Sequence, residues 1–141
     1  MKYTHLNNDQ VHQVGIYIAA TEAVLQGHSV EVVPEERRYR LRVDGKLVQV
    51  FTRRAGDWQP NAMQPVADDT EGVIFLDLAA DEPEFYVAAG DWLRDDVAKH
   101  YGHYLAAHGG TRRDNPESRH HKVTTRRVAQ WRDRWDVLGS G

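Results

Sequence analysis

The sequence contains no cysteine. Disulfide bonds and zinc sites built on thiolates are therefore excluded, and a chain of this kind is expected in the cytoplasm. No apolar run approaches the roughly 20 residues that a membrane-spanning helix needs. The first residues also lack the features of a secretory signal peptide. We therefore expect no membrane contact.

Internal repeats and low-complexity segments are lacking as well. The 141 residues are 40% hydrophobic and 9% aromatic, which is typical of a globular protein and not of a disordered one. We predict a single domain. In it, residues 1–110 form an α/β core, and residues 111–141, a basic loop and a C-terminal helix, pack on that core.

The first predicted helix begins at Asn7 or Asn8, runs to about residue 26 and ends at Gly27. Its apolar stripe is predicted to consist of Val11, Val14, Ile18 and Leu25. Glu22 continues the same stripe. An inward carboxylate needs a partner or a function, because burying it alone is costly. The alternative is an acid at the rim of the stripe that reaches solvent or an arginine.

Residues 39–54 give the clearest strand signal in the sequence. Apolar residues alternate with Arg38, Arg40 and Arg42, and Asp44-Gly45 is the residue pair of a type I′ turn. The segment therefore predicts a β-hairpin. Because side chains alternate along a strand, the side chains at positions 49 and 51 share one face.

Two further strands are predicted at residues 72–78 and 84–87. The first is an almost unbroken apolar run, as expected for a strand covered on both faces. A helix follows from Asp91 to about His108, and a last helix begins at Thr124. The apolar residues of this last helix recur at helical spacing; they are Val128, Trp131, Trp135 and Leu138. The order of elements indicates an α/β sandwich around a mixed sheet.

Charge is distributed unevenly along the chain. Residues 37–54 contain seven basic residues and one acid, whereas residues 66–96 contain ten acids and one arginine. Residues 112–136 are again basic. This polarity predicts one face that meets a polyanion and another that is kept away from it.

The segment YRLRVDGKLVQVFT resembles the core of the PD-(D/E)xK nuclease-like superfamily, the fold of many restriction enzymes and Holliday-junction resolvases. Members often read Y-D-L-x-V-D-G-x-x-x-Q-V-K-T. The later phrases VIFLDL and PEFYV are similar to the strand pair that follows in these domains. The resemblance covers roughly residues 11–92. It implies a restriction endonuclease-like mixed β-sheet flanked by helices, here with a C-terminal helical extension.

The catalytic positions of that pattern are mostly altered. Arg40 occupies the position of the acid, Gln49 that of the Glu or Gln, and Phe51 that of the lysine. Arg40 would repel the Mg²⁺ that carboxylates hold in such enzymes, and Phe51 cannot position a proton. The resemblance also implies that Glu22, on the first helix, faces this site. We therefore expect a pseudoenzyme with a vestigial site and no cofactor, in which Glu22 lies within charge-pairing reach of Arg40.

DNA is the expected partner, with duplex DNA favoured by analogy. The expected phosphate contacts are basic residues of the two basic segments; they are Arg40, Arg42, Arg53, Arg54, Lys122 and Arg126. Trp58, in a polar loop, is predicted to stack on a nucleobase or sugar, the alternative being that it covers the hairpin edge.

Two other hypotheses stay open. One is an active endonuclease that uses Mg²⁺ and relocated catalytic groups. The other is a protein–protein interaction module whose acidic face, residues 68–96, binds a basic partner; a homodimer is also possible.

Overall fold

The computed structural model describes residues 3–33, 38–61, 63–107 and 122–139. Its elements, in chain order, are α1 (Asn8–Leu25), β1 (Val30–Val32), β2 (Arg40–Val43), β3 (Lys46–Arg53), β4 (Gly72–Asp77), β5 (Glu84–Ala89), α2 (Gly90–Ala107) and α3 (Thr125–Val128), followed by two short 3₁₀ helices, Ala129–Trp131 and Trp135–Leu138. The predicted mixed α/β architecture is confirmed. No helix in these ranges is long and apolar enough to cross a membrane.

The five strands form one sheet in the order β1-β2-β3-β4-β5. Neighbouring strands are antiparallel except for β3 and β4, which are parallel. The predicted hairpin is β2–β3, and both turn residues have the positive φ that a type I′ turn requires, 49° at Asp44 and 85° at Gly45. The Asp44 carboxylate also accepts a hydrogen bond from the Ser29 N–H and lies 2.7 Å from Nδ1 of His28. The contact with His28 holds the pKa of Asp44 below its usual value.

Alternation along the strands gives the sheet two apolar faces. The first face packs against α1 and the last 3₁₀ helix, and its buried cluster includes Leu41, Val50 and Ile74. The second face packs against α2 and α3, and its buried cluster includes Phe75 and Leu93. β4 is buried along its whole length because both faces are covered, as the apolar run predicted.

The capped start of α1 and its end before Gly27 are confirmed, since Asn7 forms a capping box with Gln10. The predicted apolar stripe is only partly correct: Val11 is buried and Ile18 packs against the first cluster, but Val14 and Leu25 do not belong to it. The buried residues are Val11, Gly15, Ile16, Ala19 and Ala23. Mostly small residues let the helix lie close to the sheet: a Cβ added to Gly15 would lie 1.9 Å from Oγ1 of Thr52.

The large apolar residues of the predicted stripe lie at the edge of this contact or outside it. Val14 and Ile18 are half-buried, and Leu25 is 73% exposed.

The prediction of one continuous helix from Thr124 to Leu138 is wrong. After α3 and the first 3₁₀ helix, the chain has a positive φ of 53° at Asp133. There the N–H of Asp133 donates to the carbonyl of Phe85 on β5. Before Asp133, Val123 and Val128 are buried in the cluster of the second face. After Asp133, Trp135 and Leu138 are buried in the cluster of the first face. The segment therefore wraps around the β5 edge.

The helix predicted from Asp91 is α2, which begins one residue earlier, at Gly90. Its predicted end at His108 and residues 111–121 of the predicted basic loop lie outside the described residues.

Candidate functional site

The three positions of the nuclease-like pattern lie together on the second face of the sheet. Arg40 and Gln49 are direct partners across β2 and β3, and Gln49 is opposite Val73 on β4. Phe51, two residues along β3, shares this face by alternation and stacks on Phe75, with ring centroids 5.3 Å apart and planes at 15°. The hairpin therefore positions an arginine, an amide and a phenyl ring side by side.

Arg40 is held inside the fold. The residue is 8% exposed, and its Nη1 lies 2.8 Å from the carboxylate of Asp69 and 3.1 Å from the hydroxyl of Thr70. Both partners lie in the connection between β3 and β4. The Asp69 carboxylate neutralises the guanidinium, so these contacts oppose the predicted role of Arg40 as a phosphate anchor.

Glu22 lies apart from this group. Its carboxylate accepts a hydrogen bond from the side chain of Gln26, 3.1 Å away, and borders a groove beside Phe85. α1 packs on the first face, whereas the Arg40 side chain belongs to the second, and no ion pair within the described ranges joins the two residues. The expectation that Glu22 pairs with Arg40 is therefore wrong.

Phe51, which stands at the lysine position of the nuclease-like pattern, belongs to an aromatic row. Phe51, Phe75 and Tyr86 are cross-strand partners on β3, β4 and β5. Beside this row, the Oε1 atom of Gln49 is buried and has no hydrogen-bond partner in the described structure. Within the same residues, no group of three or more His, Asp or Glu side chains could hold a metal ion.

Trp58 is a core residue. It is 2% exposed, its indole N–H donates to the carbonyl of Leu76 at 3.0 Å, and its ring meets Phe75 and Tyr86 edge-on. The expectation that Trp58 stacks on a nucleobase is therefore wrong. Because the sequence neighbours of Trp58 are polar, the sequence did not indicate that Trp58 is buried beneath β4.

Arg53 also has an internal role. Its guanidinium lies 2.6 Å from the Asp77 carboxylate and 3.0 Å from the hydroxyl of Thr125, and it covers the Trp58 ring at 4.6 Å. The Arg53 and Asp77 side chains are only 16% and 8% exposed. Because Arg53 is held in this way, we no longer expect it to contact phosphate.

Arg54 ties the segment before α1 to the end of β3. Its Nη1 donates to the carbonyls of Tyr3, at 3.1 Å, and Leu6. Its half-buried side chain borders a cleft of about 570 Å³ between the start of α1 and the end of β3. His12 borders the same cleft and stacks on Tyr39. Burial lowers the pKa of His12, and Asp9 partly opposes that shift.

Three of the predicted contact residues are exposed and form no ion pair with any described acid: Arg42, Lys122 and Arg126. The guanidinium of Arg42 donates to the carbonyl of Gly45, at 3.5 Å, and the exposed Glu31 lies opposite Arg42 on β1. Arg42 shares the second face with Arg40 by alternation on β2. Lys122 and Arg126 flank residues of the second buried cluster, Val123 and Val128. All three cations therefore lie on the same side of the sheet as Arg40, Gln49 and Phe51.

Much of the charge polarity along the chain is neutralised within the fold. Arginines from the basic segments pair with acids of residues 66–96; the pairs are Arg40–Asp69, Arg53–Asp77, Arg127–Asp96 and Arg132–Glu84. Sequence reasoning missed these pairs, because the partners lie 24 to 48 residues apart and no local pattern joins them.

Comparison with protein-family models gives no match, and comparisons with curated proteins and with solved structures give no significant match.

Proposed function

We propose that this protein binds nucleic acid, with duplex DNA as the ligand, through a catalytically degenerate restriction endonuclease-like domain. The layout supports this assignment: α1 precedes the meander β1-β2-β3, and β4 then lies parallel to β3. On that layout, Arg40, Gln49 and Phe51 take the three positions of the nuclease-like pattern.

The observation that carries the proposal is the contrast between two sets of basic side chains. Arg40 and Arg53 are buried against carboxylates, whereas Arg42, Lys122 and Arg126 are exposed without one in the described structure. Exposed cations without acid partners attract phosphates, since binding releases the counterions condensed on DNA. These three residues are the proposed phosphate contacts, and Arg54 can add a fourth from the cleft.

Several features oppose the alternative of an active endonuclease. A guanidinium occupies the position of the metal-binding acid, a phenyl ring that of the lysine, and Glu22 lies on the other face of the sheet. We therefore expect no metal-dependent nicking of supercoiled DNA in Mg²⁺ or Mn²⁺. Cleavage by the wild-type protein that a chelator abolishes would favour the nuclease alternative.

The first prediction concerns the salt dependence of DNA binding. Fluorescence anisotropy with a labelled duplex, measured from low to moderate salt, should give a linear fall of log affinity with log salt. The slope should decrease by about 0.9 for each phosphate contact that is removed. We expect this decrease for Arg42→Ala, Lys122→Ala and Arg126→Ala.

The matched control is Arg134→Ala. Arg134 is an exposed arginine whose guanidinium already pairs with Asp136 at 2.9 Å, so its replacement changes the net charge by the same amount. We expect Arg134→Ala to leave the slope unchanged. The proposal fails if wild-type protein does not bind DNA at low salt, or if the control and Arg126→Ala have the same effect.

A further inference from the structure

α1 has a second apolar stripe that does not face the sheet. It consists of Val14, Ile18 and Leu25, with Thr21 between them, and the spacing of four, three and four is that of a helix-packing seam. Beside it, Tyr17 and Val24 are each 56% exposed. Because small residues pack α1 against the sheet, these larger side chains lie on the outer side of the helix.

A groove runs along this stripe. One wall is formed by α1 with Val14, Tyr17 and Ile18, and the other by Pro83 and Phe85 at the start of β5. Its volume is about 610 Å³. The part of α1 that lines the groove, from Val14 to Glu22, extends about 12 Å at 1.5 Å per residue, which matches about two turns of a second helix.

Carboxylates border the groove. Glu22 lies on the α1 wall, and Glu82 and Asp133 lie on the opposite wall, where Asp133 is also 3.9 Å from Nε of Arg132. α1 itself contains no lysine or arginine between residues 8 and 25. The surface thus combines an apolar floor with an acidic rim.

We propose that this groove binds a basic amphipathic helix of a partner protein. Apolar side chains of that helix would occupy the floor, and lysines or arginines beside them would pair with the three rim carboxylates. A second copy of this chain fits less well, because two α1 helices packed against each other would supply no cation to either acidic rim. The groove lies on the first face, so this partner and DNA would occupy opposite sides of the sheet.

The test is selection from a displayed library of 16-residue helical peptides, in which leucine is fixed along one face and all other positions are randomised. Wild-type protein is the target, and Tyr17→Ser is the counter-selection. Tyr17 lines the groove and is 56% exposed, so this change removes apolar surface of the groove without disturbing the core. We expect the selected peptides to be enriched in lysine and arginine beside the leucines.

A synthetic peptide from that selection should bind Tyr17→Ser about tenfold more weakly, as expected for the loss of one large side chain that becomes buried on binding. Glu82→Lys should weaken binding about threefold to fivefold at low salt. The matched controls are Met63→Ser and Glu71→Lys, an exposed methionine and an exposed acid that do not border the groove. Both should bind the peptide as the wild type does.

The proposal is overturned if no peptide is enriched over the counter-selection, or if the enriched peptides carry no excess of basic residues. It is also overturned if sedimentation shows a dimer of the wild-type chain that Tyr17→Ser dissociates, because a second copy would then be the occupant.

Discussion

Arginines that are indistinguishable in the sequence have opposite roles in the structure. Arg53 and Arg42 both lie on strands of one hairpin, and both point to the second face by alternation. Arg53 meets Asp77 directly across the β3–β4 ladder, and both side chains are largely buried. Arg42 lies between Glu31 on β1 and Leu47 on β3, and both Arg42 and Glu31 are exposed. Burial of the facing acid, and not its presence alone, therefore decides which arginine is structural and which is available to a ligand.

We expect replacement of Arg53 to lower the free energy of unfolding strongly. Arg53→Ala leaves the carboxylate of Asp77 buried without its cation, which typically costs about 3–5 kcal/mol. We expect a loss of this size in the free energy of unfolding, measured by urea denaturation. Arg134→Ala, at an exposed ion pair, should leave the midpoint almost unchanged. An equally small effect of Arg53→Ala would show that the Arg53–Asp77 pair contributes little.

At the level of elements, α1 shows how side-chain size directs packing. Two stripes compete for the sheet, one of small residues and one of larger apolar residues. The small stripe packs on the sheet because Gly15 lets the helix backbone approach β3 at Thr52. The larger stripe is left to form the groove. A prediction based on hydrophobicity gives the most weight to large apolar residues, and it therefore predicts the wrong buried face of α1.

Gly15→Ala tests this packing. Alanine favours a helix by about 1 kcal/mol over glycine, but the added Cβ would overlap the Thr52 side chain and force α1 outward, at a typical cost of about 1–3 kcal/mol. We expect net destabilisation in urea denaturation, and Thr52→Ala should restore part of the loss.

The matched control for Gly15→Ala is Gly102→Ala. Gly102 lies within α2, and an added Cβ there meets nothing within 4 Å. We expect this control to stabilise the protein, by about 0.5–1 kcal/mol. Equal effects of the two substitutions would contradict a close approach of α1 to the sheet.

At the level of the whole molecule, the C-terminal segment joins the two faces of the sheet. Val128 is buried in one cluster, and Trp135 and Leu138 are buried in the other. The side chain of Lys46 also donates to the carbonyl of Leu138, at 3.2 Å. Residues 122–139 are therefore a structural part of the domain that contains the hairpin.

Trp135→Ala should consequently destabilise the whole chain. The side chain is buried against His28 and Phe85, and truncation of a buried tryptophan costs about 3–5 kcal/mol. We expect unfolding curves from far-UV circular dichroism and from fluorescence to shift together. Gln130→Ala, at an exposed position in the same segment, is the control. A far-UV transition that stays in place in Trp135→Ala would indicate a C-terminal segment that unfolds independently.

The sequence by itself determined the local features of this protein. The capping box at Asn7, the positive-φ turn at Asp44-Gly45 and the apolar run of β4 each depend on neighbouring residues. Alternation likewise placed Gln49 and Phe51 on one face of β3. These features can be predicted from the sequence because turn geometry and side-chain alternation are local properties of the backbone.

Only the tertiary structure decided which charges are neutralised and which apolar surfaces are covered. Asp69 reaches Arg40 across 29 residues of chain, and Trp58 enters the core beneath β4 from a segment that reads as a polar loop. Val14 and Ile18 border an open groove because a stripe of smaller residues fits the sheet more closely. The physical reason is that desolvation and packing depend on all the neighbours of a side chain, and most of those neighbours are distant in sequence.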